Sequence, residues 1–167
     1  LSQLLLTDVS WMMLQHSREW EDRGVTLVVT EAKDLPVADS SIGLLVSVLG
    51  DPYNQPPFWE EAARVLSDDG WMIYTTPSHE WASLFRDRSK PEGFHSAEFI
   101  LRDQEKINVP SFIHPRDKQE ALISSAGLTV KEFEQVSLLD LESDHISPKV
   151  QLDGAHLPVV SGYLLQR

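Results

Sequence analysis

The sequence predicts an α/β fold with a mostly parallel sheet and an antiparallel C-terminal part. Two patterns indicate this class. In the first half of the chain, apolar segments of strand length alternate with segments of helical period, which is typical of βαβ units. In the second half, residues 97–109 have the pattern of a hairpin with its turn near Asp103 and Gln104. With 167 residues and 41% apolar content, the chain is expected to form one globular domain.

The first half predicts strands joined by helices and turns. Residues 4–7 are a buried strand that ends at Asp8, and Ser10 is placed to cap a helix that closes at Gly24. The two prolines at 56–57 begin another helix, because proline fits the first turn of a helix but not its interior. The remaining elements of this half are strands at residues 25–30, 44–48 and 71–76 and a turn at residues 67–70.

The second half predicts a mixture of helices and strands around the hairpin. Gly127 is expected to stop a helix that begins at Arg116. Residues 140–156 are the least regular part of the chain. The other elements are a short amphipathic helix at residues 78–88, a polar loop at 90–93, a long edge strand at 128–139 and a last strand at 158–167.

Charge and composition exclude several functions. The chain has 26 Asp and Glu against 14 Lys and Arg, and its formal charge of −12 repels phosphate backbones and anionic membrane surfaces. No nucleic acid or membrane is therefore expected as a partner. The chain has no cysteine, which excludes disulfides, zinc–thiolate sites and thiol catalysis and fits a cytoplasmic protein. No apolar run approaches the ~20 residues that a membrane-spanning helix needs.

Three segments carry a family resemblance. They are LTDVS at residues 6–10, TEAKDLPVADSSIGLLVS at 30–47 and EEAARVLSDDGWMIYTTP at 60–77. In this order and spacing they resemble the second half of a class I S-adenosylmethionine-dependent methyltransferase. The resemblance implies a Rossmann-like methyltransferase sheet, S-adenosylmethionine as cofactor and a small-molecule substrate as methyl acceptor.

The resemblance also implies a role for particular residues around the cofactor. Asp8 would bind the ribose hydroxyls and Val9 would lie against the adenine. Glu31 would accept a hydrogen bond from the adenine amino group, with the backbone of Ala32 and Lys33 completing that edge. The residues that would line the methyl-transfer pocket are Ser47, Val48 and Leu49.

Each of these segments also has a purely structural interpretation. An aspartate before a helix is commonly a cap, so Asp8 alone does not establish a ligand. The segment 30–47 is also consistent with a strand followed by a polar loop. Arg64, in the third segment, is expected to pair with a carboxylate or with the end of its helix rather than with a substrate.

No catalytic residue can be assigned from the sequence. Tyr53, His79 and His95 are candidates for a general base by location alone, and a structural role is expected for each. Methyl transfer from a sulfonium depends mainly on positioning and desolvation, and it needs a base only if the acceptor carries a proton at attack. None of the six histidines has a partner at ligand spacing, so no metal is expected.

The resemblance places a glycine-rich cofactor loop and a first strand upstream of residue 4, and the chain begins inside the second strand. We therefore interpret residues 1–167 as a single, N-terminally truncated methyltransferase domain, with a cofactor-binding half (1–77) and a substrate-covering half (78–167). Either a partner chain, a homodimer or a separate segment supplies the missing strand, or the sheet closes up and the cofactor site is lost. The alternatives are a non-catalytic remnant that acts as an interaction module and an unrelated α/β binding protein.

Overall fold

The computed structural model describes residues 3–85, 95–101, 103–140 and 156–167. Within these ranges the strands are β1 (Leu4–Asp8), β2 (Val25–Val29), β3 (Ile42–Ser47), β4 (Leu66–Pro77), β5 (Ser96–Ile100), β6 (Lys106–Pro110), β7 (Thr129–Ser137) and β8 (Pro158–Gln166). The α-helices are α1 (Trp11–Gln15), α2 (Pro56–Val65), α3 (His79–Phe85) and α4 (Arg116–Ser125). Short 3₁₀ helices cover Arg18–Arg23, Asp51–Tyr53 and Leu138–Asp140. No helix in the described ranges is long and apolar enough to cross a membrane.

The strands pair in three separate sheets. β1 and β2 form a parallel pair, β5 and β6 form the antiparallel hairpin, and a four-stranded sheet has the order β3–β4–β8–β7. Within the larger sheet only β3 and β4 are parallel, whereas β8 runs antiparallel to both of its neighbours. The α/β class and the edge position of β7 are confirmed. The expectation of a mostly parallel sheet is wrong, because the described strands form two parallel pairs and three antiparallel ones.

The core lies between one face of β4 and the two longer helices. From Gly70 onward the side chains of β4 alternate, so that Met72 and Tyr74 are buried on this face while Trp71 and Ile73 are exposed on the other. The ring of Trp59 in α2 meets Tyr74 edge-on at 4.8 Å, and Ile123 of α4 joins the same cluster. Each such buried side chain contributes about 2 kcal/mol of hydrophobic stabilisation.

Helix α2 forms where the sequence predicts it because three local signals agree. Pro56 occupies the first turn, where its missing N–H leaves no hydrogen bond unmade. Phe58, Trp59 and Ala62 recur at helical spacing and are all buried. At Leu66 the backbone turns extended and the chain enters β4 directly.

The opposite face of the larger sheet is exposed. Leu44 and Val46 of β3 pair in register with Trp71 and Ile73 of β4, and these four apolar side chains form what we call the open face. Leu44 is 57% and Val46 53% exposed. Adjoining this face, β3 pairs only with β4 and β1 only with β2, so each strand has one edge without a ladder in the described residues.

Three boundaries differ from the sequence expectations. The helix expected from Ser10 to Gly24 is divided into α1 and a 3₁₀ helix, because Ser17 leaves helical geometry and the expected anchor Trp20 is 43% exposed. β3 begins at Ile42 rather than at residue 44. Residues 67–70 do not leave the strand but form a bulge in β4, where the register shifts against β3.

The other predicted elements are found close to their expected positions. Gly24 and Gly127 both close their helices with positive φ, at 85° and 84°. The hairpin turns at Asp103 and Gln104, and Gln104 has the left-handed φ of 69° that a tight turn needs. The polar loop at 90–93 and most of the irregular stretch 140–156 lie outside the described residues.

Candidate functional site

The carboxyl ends of β1 and β2 bring the first two predicted segments together. Asp8 is the last residue of β1 and pairs in register with Val29, the last residue of β2. The Thr30 amide then donates a hydrogen bond to the Asp8 carbonyl at 3.1 Å. Glu31, the next residue, therefore lies at the same edge of the sheet. Asp8 and Glu31, 23 positions apart in the sequence, therefore follow neighbouring strand ends, which is where α/β sheets bind ligands.

Asp8 is half-buried and already makes one local bond. Its Oδ1 accepts from the Ser10 amide at 2.7 Å, while the hydroxyl of Ser10 accepts from the Met13 amide at 3.4 Å. Ser10, as expected, is the N-cap of α1, and Asp8 holds the turn before it. The second carboxylate oxygen of Asp8 has no hydrogen-bond partner among the described residues, and Val9 beside it is exposed. This oxygen is the one open to a ligand.

Glu31 and Lys33 form an exposed ion pair. The Lys33 ammonium lies 2.8 Å from Glu31 Oε2, and this hydrogen bond is the main reason that the pKa of Lys33 is raised. Exposed pairs of this kind add little stability, so Glu31 can change partner at low cost. Ala32 between them is half-buried and packs against the core.

The loop that follows Glu31 is tied to α2 by two side chains. Glu61 Oε1 accepts from the Leu35 amide at 2.6 Å and from Arg64 Nη2 at 2.7 Å. The Arg64 guanidinium also donates to the carbonyls of Leu35 and Val37, at 3.1 and 3.0 Å. Arg64 thus pairs with a carboxylate, as the sequence predicts, and it fixes the path of the loop beyond Lys33.

The carboxyl end of β3 is tightly packed on one side and exposed on the other. Ser47 is buried, and its Oγ lies 3.0 Å from the hydroxyl of Tyr53. Val48 and Leu49, which follow it, are exposed. Leu49 has a φ of 52°, which costs a residue with a branched side chain about 1 kcal/mol. Its amide is held in place by a 2.9 Å bond to the Thr75 hydroxyl. Such stored strain is common at functional sites.

Tyr53 connects the two halves of the candidate site. Burial is the main cause that raises the pKa of Tyr53, and the hydrogen bond with Ser47 lowers it. The negative charges of Asp51 and Asp8 raise this pKa further. Of these two carboxylates, Asp51 lies in the 3₁₀ helix that contains Tyr53, and Asp8 lies at the end of β1. With a raised pKa, Tyr53 is protonated at neutral pH and can donate a hydrogen bond, but it is not a general base there.

The two histidines considered as bases lie elsewhere. His79 begins α3, and His95 lies before β5 with its ring 5.4 Å from that of Phe112. Neither one contacts Ser47 or Asp8 by a hydrogen bond in the described structure. In the same ranges no three His, Asp or Glu side chains are grouped closely enough to hold a metal ion.

Sequence reasoning missed the buried side chains that hold the Tyr53 segment in place. Asn54, directly after Tyr53, is fully buried and accepts from the indole of Trp59 at 2.9 Å. It also donates to the carbonyl of Phe112 at 2.8 Å. The only local signal was a polar residue placed between a turn and a helix start, which does not distinguish a buried amide from an exposed one.

The fold can be compared with solved structures. A putative S-adenosylmethionine-dependent methyltransferase of Listeria monocytogenes superposes with a TM-score of 0.72 at 11% identity, over 99% of this chain and 79% of that one. One from Methanosarcina mazei gives 0.70 at 15% identity, over 98% and 81%. A putative methyltransferase of Haloferax volcanii, solved in complex with the Trm112 methyltransferase activator, gives 0.64 at 17% identity, over 97% and 70%.

Sequence comparison adds nothing to this structural likeness, since no protein-family model and no curated protein matches the chain. The solved structures share the fold of this chain, but their sequence identities to it are too low to indicate a shared function. The resemblance drawn from the three segments is confirmed at this level: the chain has the α/β fold of S-adenosylmethionine-dependent methyltransferases.

Proposed function

We propose that this chain is a methyltransferase domain that transfers a methyl group from S-adenosylmethionine to a small-molecule acceptor. The observation that carries the proposal is the pairing of β1 and β2 up to their carboxyl ends, which places Asp8 and the segment of Glu31 at one edge of the sheet. When bound, the cofactor supplies an electrophilic methyl group on its sulfonium. The chain itself contributes positioning, exclusion of water and a hydrogen-bond donor.

Each proposed role follows from the geometry of the residue. The open oxygen of Asp8 fits a ribose hydroxyl, and the exposed side chain of Val9 offers an apolar surface for the adenine. Glu31 accepts from the adenine amino group after exchanging its contact with Lys33, while the backbone of Ala32 and Lys33 completes that edge. The pocket wall for the transferred methyl group is formed by Ser47, Val48 and Leu49.

The proposal includes a further strand between β1 and β3. Both strands have an edge without a ladder in the described residues, and unpaired backbone groups are costly when they become buried. Leu4 at 61% exposure and the open face beside β3 are apolar surfaces that such a strand and its connection would cover. Another segment of polypeptide, a second copy or a partner chain would supply it. The Haloferax protein in complex with an activator is a precedent for a partner chain.

Binding of S-adenosylhomocysteine, followed by amide chemical shifts, tests the cofactor site. We expect weak binding by this chain alone, in the millimolar range, with shifts centred on Asp8, Glu31 and Leu49. Asp8→Asn should weaken it about tenfold, the equivalent of roughly 1.4 kcal/mol. Glu98→Gln, which removes an exposed carboxylate of the hairpin, is the matched control. Micromolar affinity of this chain alone would contradict the proposal that a further strand is needed. Chemical-shift changes that are the same in the wild type and in Asp8→Asn would overturn the assigned site.

Sedimentation tests a second copy as the source of the strand. Pairing through the edge of β3 predicts self-association that rises with concentration and that Leu44→Lys weakens. Leu139→Lys, at a side chain that is 72% exposed beyond β7, should leave it unchanged. A chain that stays monomeric at all concentrations rules out the homodimer and leaves a partner chain or a further segment.

A further inference from the structure

A cavity of about 560 Å³ lies outside the proposed cofactor site. It opens between the start of α2, the exposed side of α4 and the segment that follows β6. Asn54 and Pro56 form one wall, and Lys118 and Leu122 form the other. Its size is that of pockets that bind small organic molecules. None of the eight residues proposed for the cofactor lines it.

The charge of the cavity is opposite to that of the protein. The chain as a whole carries −12, yet no Asp or Glu is among the described residues that line the cavity. His95, His114 and Lys118 line it instead. These three basic side chains come from the segment before β5, the segment after β6 and helix α4. The charge of Lys118, in a lining without carboxylates, favours a negatively charged ligand.

The segment that carries His114 is held firmly in place. The Phe112 amide donates to the Asp51 carbonyl at 2.7 Å, and the Ser111 hydroxyl donates to the Asp51 carboxylate. The Asn54 side chain holds the Phe112 carbonyl at 2.8 Å. These bonds fix the segment of Phe112 and His114 against the 3₁₀ helix Asp51–Tyr53. The cavity is therefore largely preformed, which reduces the entropic cost of binding.

The cavity also has an apolar wall. Phe112 and Leu122 are both half-buried there, and Pro56 adds a ring to the same lining. The imidazole of His95 is tilted by 36° against the Phe112 ring, so two neighbouring rings face this side of the cavity. This wall offers contact to an apolar or aromatic body, while Lys118 and His114 offer donors to an acidic group.

We propose that this cavity binds a small organic carboxylate with an apolar, aromatic body. Lys118 and His114 face the carboxylate, and Phe112 packs against the body. This cavity is separate from the proposed cofactor site, because none of the residues proposed for the cofactor lines it. Tyr53 and Asn54, which are adjacent in the chain, lie beside the two sites.

The state of His114 makes binding depend on pH. Burial is the main cause that lowers the pKa of His114, and the charge of Lys118 lowers it further, as do His95 and His79. A hydrogen bond to the backbone of Asn54 acts in the opposite direction. A bound carboxylate adds a negative charge beside the ring and raises this pKa, so binding takes up a proton. Affinity should therefore increase as the pH falls toward the ordinary histidine pKa of 6.5 and below it.

Titration calorimetry with 1-naphthoate as the probe tests the site on the whole chain. We expect binding that strengthens toward pH 6, and no binding of the uncharged 1-naphthalenemethanol at the same concentrations. Lys118→Gln should weaken naphthoate binding about tenfold, whereas Lys131→Gln on β7, with the same change of charge, should not. Lys118 is exposed and outside the core, so the variant is expected to fold.

Two results would overturn the proposal: no naphthoate binding up to millimolar concentration, or equal losses in Lys118→Gln and Lys131→Gln. Asp8→Asn separates this site from the cofactor site. It should leave naphthoate binding unchanged. Tighter binding in Asp8→Asn, from the removal of a like charge, would place the carboxylate in the space beside Asp8 instead of the cavity.

Discussion

Asn54 and Gln119, which are 65 residues apart in the chain, bond to each other through both ends of their side-chain amides. Asn54 Nδ2 donates to Gln119 Oε1 at 2.6 Å, and Gln119 Nε2 donates back to Asn54 Oδ1 at 3.2 Å. Both residues are fully buried. The pair joins α4 to the start of α2 and supports both the Tyr53 segment and the basic cavity.

Replacing Asn54 should therefore be strongly destabilising. Asn54→Leu keeps the volume but leaves the Trp59 indole, the Phe112 carbonyl and the Gln119 amide buried without this partner. We expect the free energy of unfolding to fall by roughly 3 kcal/mol. Urea denaturation followed by circular dichroism measures it. Asn108→Leu, at an exposed amide of β6, is the control and should change stability by less than about 0.5 kcal/mol.

A double-mutant cycle with Gln119→Leu checks that the two amides act together. The double variant should lose less than the sum of the single losses, because the first substitution already breaks the shared bonds. Additive losses would show that the pair does not behave as one network.

Much of the fold follows from local signals in the sequence. The alternation in β4, the prolines of α2 and the turn of the hairpin each act within a few residues, and each predicts its element. The proximity of Asp8 and Glu31 was also predictable, because the ends of neighbouring parallel strands meet at one edge of a sheet. The division of the helix after Ser10 was not predictable, because the length of that helix depends on whether Trp20 packs into the core.

The supporting network and the cavity depend on contacts between distant segments. Asn54, Phe112 and Gln119 have no shared period or motif, and their meeting is visible only once α4 packs beside α2. For the same reason the sequence presents His114 and Lys118 as ordinary surface residues. In the described residues β1 and β3 share no neighbouring strand, and the first strand that the resemblance implies between them stays a prediction.

Gly50 should not tolerate a side chain. A Cβ there would lie 2.5 Å from Tyr74 Cε2 and 2.6 Å from Ser47 Oγ, both in the packed end of β3. Gly50→Ala should cost about 1–3 kcal/mol of stability and displace the Ser47–Tyr53 contact. The control is Gly43→Ala, where a Cβ would meet nothing within 4 Å. Thermal unfolding of both variants compares them, and equal melting temperatures would contradict the crowding at Gly50.

Glu61 should contribute to stability in a way that acid removes. The hydrogen bond from Arg64 is the main cause that lowers the pKa of Glu61, and the Leu35 amide adds to it against the effect of burial. This contribution is present above the unfolded-state pKa of 4.5 and is lost as the pH falls through the lower folded-state value. The urea midpoint should thus drop between about pH 5 and pH 3, and less steeply in Glu61→Gln.

The neighbouring Glu60 provides the control for this acid dependence. It is exposed on the same helix, and Glu60→Gln should follow the wild-type curve. If the two variants have the same profile, the contacts of Glu61 with Arg64 and Leu35 do not account for it.

The tyrosines should resist ionisation while the protein is folded. The chain has three, and burial is the main cause that raises the pKa of each, to about 12 for Tyr163. A raised pKa means that the folded state keeps the proton, so the stabilisation is complete below about pH 10 and is lost as the pH rises further. Tyrosinate absorbance should therefore appear together with the loss of circular dichroism. In concentrated urea it should appear near pH 10, and the same midpoint in the folded protein would show that these hydroxyls are not buried.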